Sequence, residues 1–156
     1  MKLKLAVVTL GLSLAMPTIA QEVTWSKQIA PLFEKACSEC HGKDAPNYAE
    51  FKAKEEYYKK EKIGPRMNTY EEVLHYIAWP QTGAMMRRMD DGTNTPDKKP
   101  GNMYKHLGET DAERAENFKV LKAWIGEDAW FLNRLRARGD VPAVTLEQLQ
   151  KVKAKH

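Results

Sequence analysis

Cys37 and Cys40 are the only two cysteines of this 156-residue chain, and His41 follows them directly in the stretch ACSECHGK. Several chemistries use thiols spaced this way. A thioredoxin-type redox pair needs a βαβ context, and no segment here alternates as a strand does. A structural zinc ion takes a closed set of four ligands. Beyond the two thiols the chain offers His41, His75, His106 and His156, with no second C-x-x-C and no H-x-x-x-H. A disulfide between Cys37 and Cys40 would close a loop too small to add much stability, because the entropic benefit grows with loop length. The remaining use is covalent haem attachment through C-x-x-C-H. Each thiol then adds to one vinyl group, and the spacing on a helical turn matches the separation of the vinyls. His41 comes to lie under the iron as an axial ligand through a ring nitrogen. Haem attachment is the reading the context favours, with a disulfide or a bound metal as the alternatives. One motif means one haem.

Residues 1–20 have the layout of a secretory signal peptide. Lys2 and Lys4 give a positive start, LAVVTLGLSL carries no charge, and PTIA ends in a small residue, so cleavage is expected between Ala20 and Gln21. A transmembrane anchor is the rival reading, but the apolar run is shorter than the ~20 residues a span needs, and Pro17 closes it. The product is expected to be soluble and exported, with no membrane span after signal removal and no lipid anchor. The formal charge of +4 falls to +2 without Lys2 and Lys4. Such a near-balanced chain gives no support for nucleic-acid binding.

The remaining pattern has the helical period. A helix is expected from Ser26 as cap to about Cys37, with Ile29, Leu32, Phe33 and Ala36 on one face and Pro31 in the first turn. APNYAEFKAKEEYYKKEK reads as a partly helical surface segment, broken by IGPRMN. Thr69 and Glu72 form a capping-box pair before a helix with Val73, Leu74, Ile77 and Ala78 on its apolar face. Residues 81–108 read as one long loop, rich in Gly, Pro, Asp and Asn. Thr110 and Glu113 open a helix lined by Ala115, Phe118, Leu121, Trp124 and Ile125. DAWFLNRLRARGD adds a short helix, and Thr145 and Gln148 cap a last piece expected to pack by its leucines. Trp25, Trp79, Trp124 and Trp130 are expected in the core or the haem wall. Their indoles, and Arg66, Arg87 and Arg88, are candidates for contacts with haem propionates, although exposure is the simpler reading for the arginines. The fold class is all-α with long loops.

QIAPLFEKACSECHG, the capped helix up to Pro80, a methionine-bearing loop and TDAERAENFKVLKAWIG follow one another in the order of a class I monohaem c-type cytochrome. Over residues 25–126 the chain resembles the periplasmic bacterial members of that family, with an enlarged methionine loop. The resemblance implies cytochrome c-like helices packed around one covalently bound haem c, held by Cys37 and Cys40 and ligated by His41. It places residues 21–126 in the haem domain and leaves 127–156 as a helical extension packed on the same domain. A loop methionine supplies the second axial ligand in this family. Met103 in PGNMY, seven residues before Thr110, is the first choice. Met86 and Met85 in TGAMM are the alternatives, ahead of Met67 and Met89, and His75 or His106 would give a bis-imidazole haem. The implied function is periplasmic electron transfer as a monomer, with other redox proteins as transient partners, and not enzymatic turnover. The alternatives are a subunit of a larger redox complex, and a gas- or peroxide-binding protein with an open sixth position.

Overall fold

The computed structural model describes residues 22–132 and 143–156. The expected signal peptide and much of the segment after Phe131 lie outside them. All regular elements among the described residues are helical. A π-helical turn, Trp25–Ile29, runs straight into α1, Ala30–Ala36, and α2 follows as the single turn Ser38–His41. α3 (Tyr48–Ala53) and α4 (Glu55–Lys60) carry no buried residue and form a surface pair. α5 is Tyr70–Ile77, α6 Ala84–Met89, α7 Asp111–Ile125, α8 Glu127–Trp130 and α9 Leu146–Leu149. A 3₁₀ turn, Tyr104–Leu107, leads into α7.

The first helix begins earlier than expected. Thr24, not Ser26, occupies the N-cap position, and Gln28 Oε1 accepts from the Thr24 backbone N–H at 2.9 Å in place of a hydroxyl cap. Thr69 and Thr110 do cap α5 and α7, each accepting from the third helical N–H. Neither box closes. Glu72 is drawn away by Arg66 at 2.6 Å, and Glu113 bonds the Glu109 N–H and Lys35. Asn47 with Glu50 and Thr145 with Gln148 make full boxes.

Aromatic rings build the centre. Trp25 meets Trp124 at 5.7 Å and Phe33 at 6.2 Å with tilted rings, and Tyr70 edge-on at 6.4 Å. The opening turn, α5 and α7 therefore meet at one cluster. Ile29, Val73, Ile77, Leu121 and Ile125 are buried around it. Ala115 is exposed, so the apolar face of α7 starts at Phe118.

The tail crosses this cluster. The Lys155 carbonyl accepts from the Trp25 N–H at 2.8 Å and from Trp124 Nε1 at 2.7 Å. The Tyr70 hydroxyl donates to the Ala154 carbonyl at 2.6 Å, and the Lys153 N–H to the Ile125 carbonyl at 2.8 Å. Packing by leucines is not what holds the tail: Leu146 is 71% exposed and Leu149 half-buried. Backbone carbonyls seat it instead.

Candidate haem site

The cysteine motif sits on a helical turn that continues α1 almost without a break. Cys37 N–H donates to the Phe33 carbonyl at 2.8 Å, and His41 N–H to the Cys37 carbonyl at 2.9 Å. Positions three and four apart on a helix share a face, so Cys37, Cys40 and His41 project to the same side. Both thiols are free. Burial pushes the Cys37 thiol up to about 11, with Cys40 adding to it. That is the opposite of the lowered value a disulfide-exchanging pair uses. Among the described residues, no group of three or more His, Cys, Asp or Glu side chains converges to hold a metal ion.

His41 is buried and held from behind. Its Nδ1 lies 2.7 Å from the Pro65 carbonyl. A carbonyl only accepts, so Nδ1 carries the hydrogen and Nε2 keeps its lone pair. Met67 N–H returns to the His41 carbonyl at 2.9 Å, so residues 64–67 run along the imidazole edge. Gly64 makes this approach possible: a Cβ there would stand 2.1 Å from His41 Cε1. Burial holds the imidazolium down, the Pro65 bond opposes this, and the charges of Arg88 and His106 lower it further. A neutral imidazole with an oriented Nε2 is what iron ligation needs. The two free thiols, their helical spacing and this fixed tautomer fit haem c.

The methionines separate by enclosure. Met85, Met86 and Met89 are buried on α6, Met86 at 1% exposure, and Met67 is buried as well. Met103 is half-buried at the core margin. Its N–H donates to the Arg88 carbonyl at 2.9 Å, and its carbonyl accepts from the His106 N–H at 3.0 Å. Arg88 and His106 are also the two residues whose charge reaches His41. His106 is itself exposed on the 3₁₀ turn. His75 sits 5.0 Å from the Tyr48 ring with its Nδ1 buried and unpartnered.

The long 81–108 segment is more ordered than its composition suggests. α6 lies inside it, and its far end returns to α6. Gly101 N–H donates to the Asp90 carbonyl at 2.8 Å, closing residues 91–100 into a side lobe. Met103 is therefore placed by α6, whatever the length of the lobe. The structure also redistributes the tryptophans. Trp79, expected in the core or the haem wall, is 70% exposed, two residues past the end of α5 at Ile77. The Trp124 and Trp130 indoles, candidates for propionate contacts, are already engaged by Lys155 and Asp90. Arg66 is engaged by Glu72. Asp90, a fully buried carboxylate, went unnoticed in the sequence.

The model of the PccH cytochrome c family matches residues 24–156. Among solved structures, the monoheme cytochrome PccH from Geobacter sulfurreducens is 45% identical, with a TM-score of 0.72 over 87% of this chain and 100% of that one. No curated protein matches.

Proposed function

Because this chain belongs to the PccH cytochrome c family and so carries one covalently bound haem c, we propose that it is a soluble periplasmic carrier of single electrons. Cys37 and Cys40 would hold the haem through two thioethers, and His41 Nε2 and the Met103 sulfur would be its iron ligands. The bound haem supplies the one-electron chemistry. The chain's own residues do the rest. The Pro65 carbonyl fixes the His41 tautomer, and the aromatic cluster around Trp25 and Trp124 joins the helix that leads into the cysteine motif to α7. With Met103 as the second ligand, the iron would have no open site for substrate. Relative to a second imidazole, a thioether ligand raises the potential.

The observation that carries this reading is the helical turn that brings Cys37, Cys40 and His41 to one side, with the His41 imidazole held through Nδ1 by the Pro65 carbonyl. Export fits the signal-like residues 1–20. Among the described residues no helix is long and apolar enough to cross a membrane.

Transient redox proteins are the partners. A shallow cavity of about 540 Å³, lined by Lys59, Arg87, Arg88, Gly101 and Asn102, opens beside the Met103 segment. Lys59 is paired with Glu55 and Glu56; Arg87 and Arg88 give the rest of the lining positive charge, which suits an acidic partner surface over a small contact.

Replacing Met103 tests the ligand. The ferric holoprotein of Met103→Ala loses the weak near-infrared band of thioether ligation. Retention of the band in Met103→Ala, with loss in Met86→Ala or Met85→Ala, would move the ligand to α6.

A further inference from the structure

Asp90 is fully buried, directly after α6, and its carboxylate is saturated. Oδ1 accepts from the Gly92 N–H at 2.8 Å and the Asn94 N–H at 3.3 Å. Oδ2 accepts from Asn94 Nδ2 at 2.9 Å and from Trp130 Nε1 at 2.7 Å. Trp130, also fully buried, lies on α8, forty positions away in the chain. Burial by itself pushes the Asp90 carboxyl up, and the bonds from Asn94, Trp130 and the Gly92 and Asn94 backbones outweigh it, so the group lies below its ordinary value. A buried carboxylate is retained as an anion only when its donors are this complete.

The same residue closes the neck of the lobe. Its carbonyl accepts from Gly101, two positions before Met103, and the Met103 N–H bonds the neighbouring Arg88 carbonyl. Gly101 must be bare here, since a Cβ would lie 2.2 Å from the Arg88 carbonyl oxygen. A second route joins the same parts. Trp130 meets Phe118 of α7 edge-on at 5.1 Å, and Phe118 meets Tyr104, the residue after Met103, at 5.7 Å. Met103 is thus flanked on one side by the Asp90 neck and on the other by Tyr104. Both flanks end on Trp130.

We propose that Asp90 and Trp130 form a positioning clamp that holds Met103 on the haem iron and sets how readily that ligand is released. The inference rests on Met103 being the sixth ligand. Releasing the thioether requires the neck to move away from α6. With the carboxylate–indole bond intact, Asp90 is anchored and its carbonyl stays in place to receive the Gly101 N–H. Removing the indole N–H lets the open form compete.

The test is imidazole binding to the ferric holoprotein, which displaces the sixth ligand and reads the cost of opening directly. Trp130→Phe keeps a ring on Phe118 and removes only the donor, while Asp90→Asn removes the charge. Each is expected to bind imidazole about tenfold more tightly than the parent, the size that follows from losing one charge-assisted bond. Asp91→Asn lies in the same lobe, where the Asp91 side chain accepts from the Thr93 N–H. Asn47→Ala removes the cap of α3, a surface helix with no buried residue and no part in either route. Both controls are expected to keep the parent's affinity. Equal tightening in Asn47→Ala would reduce the effect to general stability and overturn the clamp. So would parent-like affinity in Trp130→Phe, provided Met103→Ala has lost the near-infrared band. Retention of the band in Met103→Ala would instead overturn the ligand assignment, and the clamp with it.

Discussion

A methyl group at Gly64 would stand 2.1 Å from His41 Cε1 and 2.5 Å from Nδ1. Overpacking of this kind costs about 1–3 kcal/mol, and here it also pushes residues 64–65 off the imidazole. Gly64→Ala is expected to lower the denaturant midpoint of the holoprotein with an unchanged slope. A parent-like midpoint would mean that the segment yields freely. Asp90 gives the pH dependence. Its carboxyl is depressed in the fold, so its contribution is present above the ordinary aspartate value of about 4 and is lost as pH falls through the lower native value. Asp90→Asn should therefore be less stable at neutral pH and show a shallower acid limb in a urea–pH series. Single residues are legible where their chemistry is local. Thr69 and Thr110 declare themselves as caps by position, and the spacing of Cys37, Cys40 and His41 points to haem attachment. Asp90 does not, because its partner lies on another element. Trp79 and Trp130 look alike in sequence and end on opposite sides of the burial scale, since indole composition carries no address.

At the scale of elements, α6 was the main omission. AMMRRM consists of good helix formers, yet six residues are too few to show a period, and the glycine, proline and aspartate around them read as loop. The folded arrangement makes the surrounding lobe an appendage, pinched off where Gly101 meets Asp90. Gly101→Ala tests the pinch. Its Cβ would strike the Arg87 and Arg88 carbonyl region from which Met103 takes its backbone bond. The variant is expected to retain its covalent haem but to lose most of the near-infrared thioether band at neutral pH. A full-strength band would show that the neck does not govern the ligand. The capped α5 and α7 were readable because each has a threonine start and a buried apolar stripe. The half-closed boxes were not, since Glu72 and Glu113 answer to Arg66 and Lys35 from distant parts of the chain.

Across the whole molecule, the all-α class, the haem and the family were all within reach of the sequence, because one motif and two periodic helices dominate it. The seating of the tail was not. Leu146 and Leu149 suggested side-chain packing, whereas Trp25, Tyr70 and Trp124 are bound by the carbonyls of Ala154 and Lys155, and a carbonyl has no sequence signature. Removing residues 151–156 would leave those three donors without their acceptors. Each buried, unsatisfied group costs about 1–3 kcal/mol, a large part of the ~5–15 kcal/mol that holds a domain together. The truncated holoprotein is expected to melt at least ~10 °C lower, and an unchanged melting temperature would show the tail to be dispensable. The central claim is that this fold carries one haem closed on both faces and passes single electrons. A potentiometric titration with spectra of both oxidation states, completed by carbon monoxide addition to the reduced protein, tests it most directly. The account predicts one haem per chain, a single one-electron wave, a thioether band in the ferric form, and little carbon monoxide binding at neutral pH. A ferric spectrum without that band, together with rapid and complete carbon monoxide binding, would contradict it.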